Sequence, residues 1–148
     1  MISRLFDLTF LVAAPFWALM ILAPRWRITQ TIIASPLICV PPLLIYAALV
    51  LPDFAAVWSA VTSPTLPAVQ SLLGTSAGAA AGWAHFIGFD LFLGRWIYQD
   101  SRSRGVHPLL ISPLLVFTIL LAPLGVLVYL LIRSVRAPRP ESRTVAEV

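Results

Sequence analysis

Four long apolar runs dominate the sequence, at residues 5–23, 28–51, 77–98 and 109–132. Each is long enough to cross the roughly 30 Å hydrocarbon core of a bilayer, which takes about 20 helical residues. The first run stops at Pro24-Arg25-Trp26-Arg27. A cleaved signal peptide is its competing reading. Asp7 near the start, Pro15 in the middle and the missing small-x-small cleavage pattern favour a retained helix. The second run contains Pro36 and the pair Pro41-Pro42. Each proline removes a backbone donor and crowds the preceding turn, which predicts a bent or locally unwound helix. Gly74, just before the third run, and Gly78 and Gly82 within it recur at intervals of four, the small-xxx-small spacing that lets helices approach closely and offers a face for self-association. The fourth is almost purely aliphatic apart from Ser112, Pro113, Thr118, Pro123 and Gly125.

Between the second and third runs the pattern weakens. Asp53 is placed to cap a short helix over residues 54–61, with Trp58 at headgroup depth, and residues 66–73 form a second short helical segment. The tail at 137–148 is polar and proline-containing, the composition of a disordered segment. The pattern therefore predicts an all-α integral membrane protein. Residues 1–136 form a single four-helix transmembrane domain, with an interfacial segment between the second and third spans.

Composition decides the solvent. Of the 148 residues, 59% are hydrophobic and 11% charged, and the mean hydropathy is +0.93. A soluble surface needs about twice that charge, so lipid is the expected partner of most of the surface. All ten basic residues are arginines, and they sit at helix ends and in the tail. No basic face exists for nucleic acid, and none is expected to bind. Cys39 stands alone, which excludes a disulfide framework within one chain. With four crossings, the arginine count leaves orientation undetermined. Arg25, Arg27, Arg102 and Arg104 favour one side; Arg4, Arg133, Arg136, Arg139 and Arg143 favour the other.

The candidate chemistry lies between Trp83 and Asp100. Asp90 falls in mid-span, where a bare carboxylate costs about 2.5–3.5 kcal/mol on insertion scales. It is expected to be protonated, paired or wetted, and a neutral acid is what general-acid catalysis uses. At about 100° per residue, His85 shares a stripe with Gly78, Gly82, Phe89 and Trp96. Asp90 lies about 140° round the helix, beside Trp83 and Gly94, and Arg95 a further 140° on. The three cannot form one intrahelical triad. Partners must come from other helices, with Asp7, Thr9, Thr31, Tyr46, Thr118 and Tyr129 as candidates. Asp90 and His85 are the candidate catalytic residues. Trp83, Phe86, Phe89, Phe92 and Arg95 are candidates to grip an apolar substrate. A structural reading stands beside each: a single seam hydrogen bond for His85, a buried pair for Asp90, snorkelling for Arg95 and a solvated loop for Asp100, Arg102 and Arg104. Two histidines cannot assemble a many-histidine di-iron site, no phosphate-cradling glycine loop with Lys is present, and no metal site or cofactor is expected.

The same residues resemble the abscisic-acid-deficient-four family, whose plant member is associated with neoxanthin synthesis from violaxanthin. The likeness runs from Pro15-Phe16 and Ala23-Pro24 through Leu66-Pro67 to Pro123-x-Gly125. It is densest at Trp83-x-His85, Asp90-Leu91-Phe92, Arg95 and Asp100. It implies a multi-span membrane protein of carotenoid metabolism, a carotenoid-like apolar ligand and a cofactor-free isomerase. In the plant reaction an epoxide opens and a ring-side proton leaves, giving an allenic alcohol without net redox change. Asp90 would be the acid and His85 the base. No transit-like segment precedes the first span, which implies a bacterial relative in the inner (plasma) membrane. A non-enzymatic carotenoid-binding or assembly subunit is the alternative, and a small channel is the weakest reading because charged pore rings are lacking.

Overall fold

A computed structural model describes residues 1–135, and every regular element among them is helical. The expected tail at 137–148 lies outside the described residues. Helix α1 (Ile2–Leu22) carries Pro15 within an otherwise continuous apolar helix. Helix α2 (Arg27–Ala34) ends at Ser35, whose extended backbone (φ −77°, ψ 129°) breaks the second run. Ser35 then caps a 3-10 turn over Pro36–Cys39, accepting from the Leu37 N–H, and helix α3 (Val40–Val50) follows. The proline pair stands at the start of α3, where the missing N–H groups have no intrahelical partner to lose. The helix is therefore interrupted before the prolines, which instead open a new one.

A second 3-10 turn, Leu51–Asp53, leads into α4 (Phe54–Thr62). The candidate span in this part of the chain is Pro36–Thr62 and not the expected 28–51. Together with Ile2–Leu22 it is one of two helical stretches long and apolar enough to cross a membrane among the described residues, each with a mean hydropathy of 2.0. Helix α5 (Leu66–Leu73) is capped by Thr65, and α6 (Ser76–Ser103) by Thr75. At 28 residues α6 is about 42 Å long. Its interior Asp90 and Arg95 lower its hydropathy below that of the other two.

The long helices alternate in direction. Phe6 stacks on Trp83 with centroids 5.4 Å apart, and Trp17 lies against Gly94, so α1 and α6 are parallel. Leu43 meets Gly88 and Tyr46 meets His85, so α3 runs antiparallel to α6. One end of the bundle holds the N-terminus, α4 and α5; the other holds the α1–α2 and α6–α7 turns with most of the arginines. Gly94 is required where it stands: a Cβ there would come within 2.2 Å of the Trp17 ring. The Gly78 face receives α5 within the chain, because a Cβ on Gly78 would meet the Leu72 backbone oxygen at 1.9 Å. That face, expected to serve self-association, is occupied by the chain's own helix at this position.

The fourth run departs furthest from expectation. It comprises two helices of 13 residues, α7 (Pro108–Leu120) and α8 (Ala122–Ser134), parted at Leu121 (φ −143°, ψ 66°). Pro123 cannot donate to the turn before it and crowds that turn's carbonyl, so α7 cannot continue through it. The chain reverses. A Cβ on Gly125 would come within 2.3 Å of Thr118 Oγ1 across the bend, which explains the glycine. Helix α7 starts at the arginine end, where Ser112 donates to the Ile21 carbonyl at 2.9 Å. Helix α8 returns there, bringing Tyr129 and Arg133 to Asp100 at 2.6 and 3.0 Å. Each arm is about 20 Å long, short of the hydrocarbon thickness. The single span expected over 109–132 is instead a helical hairpin with both ends on one side.

Candidate functional site

Helix α6 is the spine on which every candidate residue sits, and its flanks differ. The flank facing α3 carries His85, Phe86, Phe89 and Phe92, all exposed. The His85 ring stacks on Phe89 with centroids 4.7 Å apart, meets Phe86 edge-on at 6.1 Å and approaches Tyr46 of α3 at 5.7 Å. Two apolar hollows lie along this flank. One, of about 260 Å³, is lined by His85, Phe86 and Tyr46 and by Val57, Val61 and Leu73 from α4 and α5. The other, of about 230 Å³, is lined by Cys39, Leu43, Gly88, Phe89 and Phe92. Gly88 has no side chain to fill the space beside Leu43, and the His85–Phe89 stack separates the two hollows. From Gly78 to Phe92 this groove runs about 21 Å along α6.

Asp90 is elsewhere. It is half-buried on the flank of Trp83 and Gly94, which faces α1. Among the described residues it has neither a hydrogen bond nor an ion pair. His85 and Asp90 are therefore not brought to one site, as the helical wheel requires. The hairpin tip reaches the depth of Asp90: Leu121 is about 12 Å along α8 from Tyr129, and Asp90 about 15 Å along α6 from Asp100.

The arginine end of α6 holds a polar network. Asp100 Oδ2 accepts from Arg104 Nε at 2.8 Å, Tyr129 Oη at 2.6 Å and Arg133 Nε at 3.0 Å. Its side chain is 16% exposed. Burial alone would raise this carboxyl, but the donors from Arg104, Tyr129 and Arg133 and the Arg104 charge outweigh it and hold it below the ordinary carboxylate value. Tyr129 also meets Trp96 edge-on at 5.3 Å. Tyr98 and Arg102 both donate to the Pro24 carbonyl at 2.8 Å, tying α6 to the end of α1. The solvated loop expected for Asp100, Arg102 and Arg104 is a set of interhelical ties.

Arg95 is turned toward the end of α2 and does not line the groove's hollows. Its Nε donates to the Ile33 carbonyl at 2.8 Å, a second nitrogen donates to Ala34, and Gln99 adds a bond to Ile33 at 3.1 Å. These donors satisfy carbonyls left open where α2 breaks, the need that an interrupted helix creates in lipid. Among the candidate partners, Tyr46 reaches His85 and Tyr129 reaches Asp100, whereas Thr9, Thr31 and Thr118 bond back to their own helices. Sequence reasoning missed the Asp100 network. The one signal for it was an acid flanked at helical spacing by Arg104, followed by Tyr129 and Arg133 four apart on a later helix.

A protein-family model described as ABA DEFICIENT 4-like matches residues 4–129. The chain belongs to this family. The match covers nearly all of the three long helical stretches, all of α7 and α8 as far as Tyr129, so the groove, Asp100 and Tyr129 fall within the ABA DEFICIENT 4-like region and Arg133 lies just past it. No curated protein and no solved structure matches the chain.

Proposed function

We propose that this ABA DEFICIENT 4-like protein crosses the membrane with α1, the helical stretch from Pro36 into the start of α4 and residues 77–98 of α6, inserts α7 and α8 as a hairpin, and binds an elongated carotenoid-like lipid in the α3–α6 groove. The observation that carries the reading is His85: an imidazole set in an aromatic stack, between two apolar hollows, facing outward where lipid would lie. A long conjugated molecule fits such a groove because it presents π-faces to Phe86, Phe89 and Phe92 and needs few polar contacts.

The chemistry we assign is a cofactor-free isomerisation of the neoxanthin-synthase type. His85 takes the proton from carbon, and the electrons of that C–H bond form a new double bond as the epoxide C–O bond breaks. The oxygen takes a proton from Tyr46, and His85 returns its proton to Tyr46, so product and substrate are isomers. Tyr46 is named as the donor because it shares the groove with His85. Asp90, the acid suggested by the sequence, stands on the other flank. That separation favours a second reading, a carotenoid-binding subunit without chemistry.

Expression in a carotenoid-producing host with pigment chromatography tests both. The isomerase predicts a new pigment of unchanged mass, lost in His85→Ala and Tyr46→Phe and kept in Asp90→Asn. The binder predicts unchanged pigments that co-purify with the protein and are lost from His85→Ala. Neither a new nor a bound pigment contradicts the groove assignment.

A further inference from the structure

The hairpin breaks the tie in arginine count. In a four-span chain, Arg133 would lie on the side opposite Arg25, Arg27, Arg102 and Arg104. Here α8 returns to the end from which α7 departed, and Arg133 donates to the same Asp100 oxygen as Arg104. Five arginines of the described chain then share one end: Arg25, Arg27, Arg102, Arg104 and Arg133. The opposite end has Arg4, together with Asp7 and Asp53. Arginine in short loops near span ends sets orientation, and the arginine-rich side stays in the cytoplasm. Acidic residues contribute little to that choice, so Asp100 does not offset it.

We infer that the α1–α2 and α6–α7 turns and the end of α8 face the cytoplasm, that the N-terminus, α4 and α5 lie on the opposite side, and that the groove takes its ligand from the leaflet away from the cytoplasm. The inference rests on the membrane reading given above. The leaflet follows from where the groove sits on α6. It begins near Gly78, two residues past the start of the helix, and its upper hollow is walled by Val57 and Val61 of α4 and Leu73 of α5. Trp58 and Val61 toward the end of α4 and Leu66 of α5 are exposed, the surface expected where a crossing helix emerges into the headgroup region and a short helix lies there. A lipid entering sideways beneath α4 and α5 meets Phe86 and His85 before the Phe89–Phe92 hollow. Its polar end therefore lies toward the non-cytoplasmic headgroups. The ligand class is an elongated apolar lipid with a polar group at that end.

Single-cysteine variants in a Cys39→Ala background test the topology in intact bacterial cells with a membrane-impermeant maleimide. Ser63→Cys, between α4 and α5, is expected to label in intact cells. Ser103→Cys, at the end of α6, and Ser134→Cys, at the end of α8, are expected to label only after permeabilisation. Labelling of Ser134→Cys in intact cells together with Ser63→Cys would mean that the fourth run crosses, and overturns the inference while leaving the membrane reading intact. Labelling of Ser103→Cys and Ser134→Cys but not Ser63→Cys reverses the orientation and overturns it equally. Release of the protein from membranes by alkaline carbonate removes the membrane reading itself, a result that none of the labelling patterns can mimic.

Discussion

The two ends of α6 are built on different principles. From Arg95 to Arg104 five polar side chains reach beyond α6: Arg95 and Gln99 to the end of α2, Tyr98 and Arg102 to Pro24, and Asp100 to Tyr129 and Arg133 of α8, while Ser101 and Ser103 bond back to α6 itself. From Gly78 to Phe92 the α3-facing flank makes apolar and aromatic contacts, with hollows left between them. Interrupted helices create open carbonyls that lipid cannot satisfy, so polar residues gather where α2 breaks. The uninterrupted half has no such need and is free to present an apolar surface. The lesson is that polarity in this chain marks mechanical joints more often than chemistry. His85 is notable because it serves no joint.

The strongest way to break this division is to disturb the contact that both halves share. Gly94→Leu drives a side chain into the Trp17 ring and should cost about 3 kcal/mol or more, seen as loss of the monodisperse detergent-solubilised species. An effect below 1 kcal/mol would show that α1 and α6 are not packed at this point. Next is Asp100→Asn, which weakens three charge-assisted bonds at once. It should cost about 2 kcal/mol in thermal unfolding while ligand retention in the groove is unchanged. Equal loss of ligand would show that the two ends are coupled.

The pH dependence has a definite sign. A carboxyl held below its ordinary value when folded stabilises the fold at pH above the unfolded value of about 3.9. That stability is lost as pH falls through the lower folded value. The hairpin tie should thus be complete at neutral pH and weaken below about pH 4, with Asp100→Asn insensitive in that window. Unfolding midpoints across pH 3–7 for both proteins check this. The smallest stability effect is expected for His85→Ala: below about 0.5 kcal/mol, because the ring is exposed. Bound ligand should nevertheless fall about tenfold, the equivalent of about 1.4 kcal/mol.

Much of this was legible in the sequence, and the failures are instructive. The wheel geometry that separated His85 from Asp90 holds, since helix α6 is regular and its angles transfer directly. The short helices α4 and α5 were visible as the expected segments 54–61 and 66–73, although Asp53 stands at the cap position of α4 without a side-chain cap bond. The hairpin was not. Pro123 and Gly125 announce a break, but a break and a reversal look alike in one dimension, and only the return of Tyr129 to Asp100 tells them apart. The role of Arg95 was hidden for a similar reason. Its partners are backbone carbonyls of α2, exposed by a helix interruption whose position could be guessed but not its neighbour. Asp100 was read as solvated because it sits near a span end, where burial depends on a helix 29 residues further on.

A long apolar ligand lying against His85 is the contact on which the groove's proposed role depends. A photoactivatable polyene lipid, incorporated into membranes holding the intact protein and mapped by mass spectrometry after illumination, reads that contact. Cross-links on Tyr46, His85, Phe86 and Phe89 are the predicted result. Cross-links confined to Trp83 and the α1 flank beside Asp90, with the α3 flank unlabelled, would contradict it.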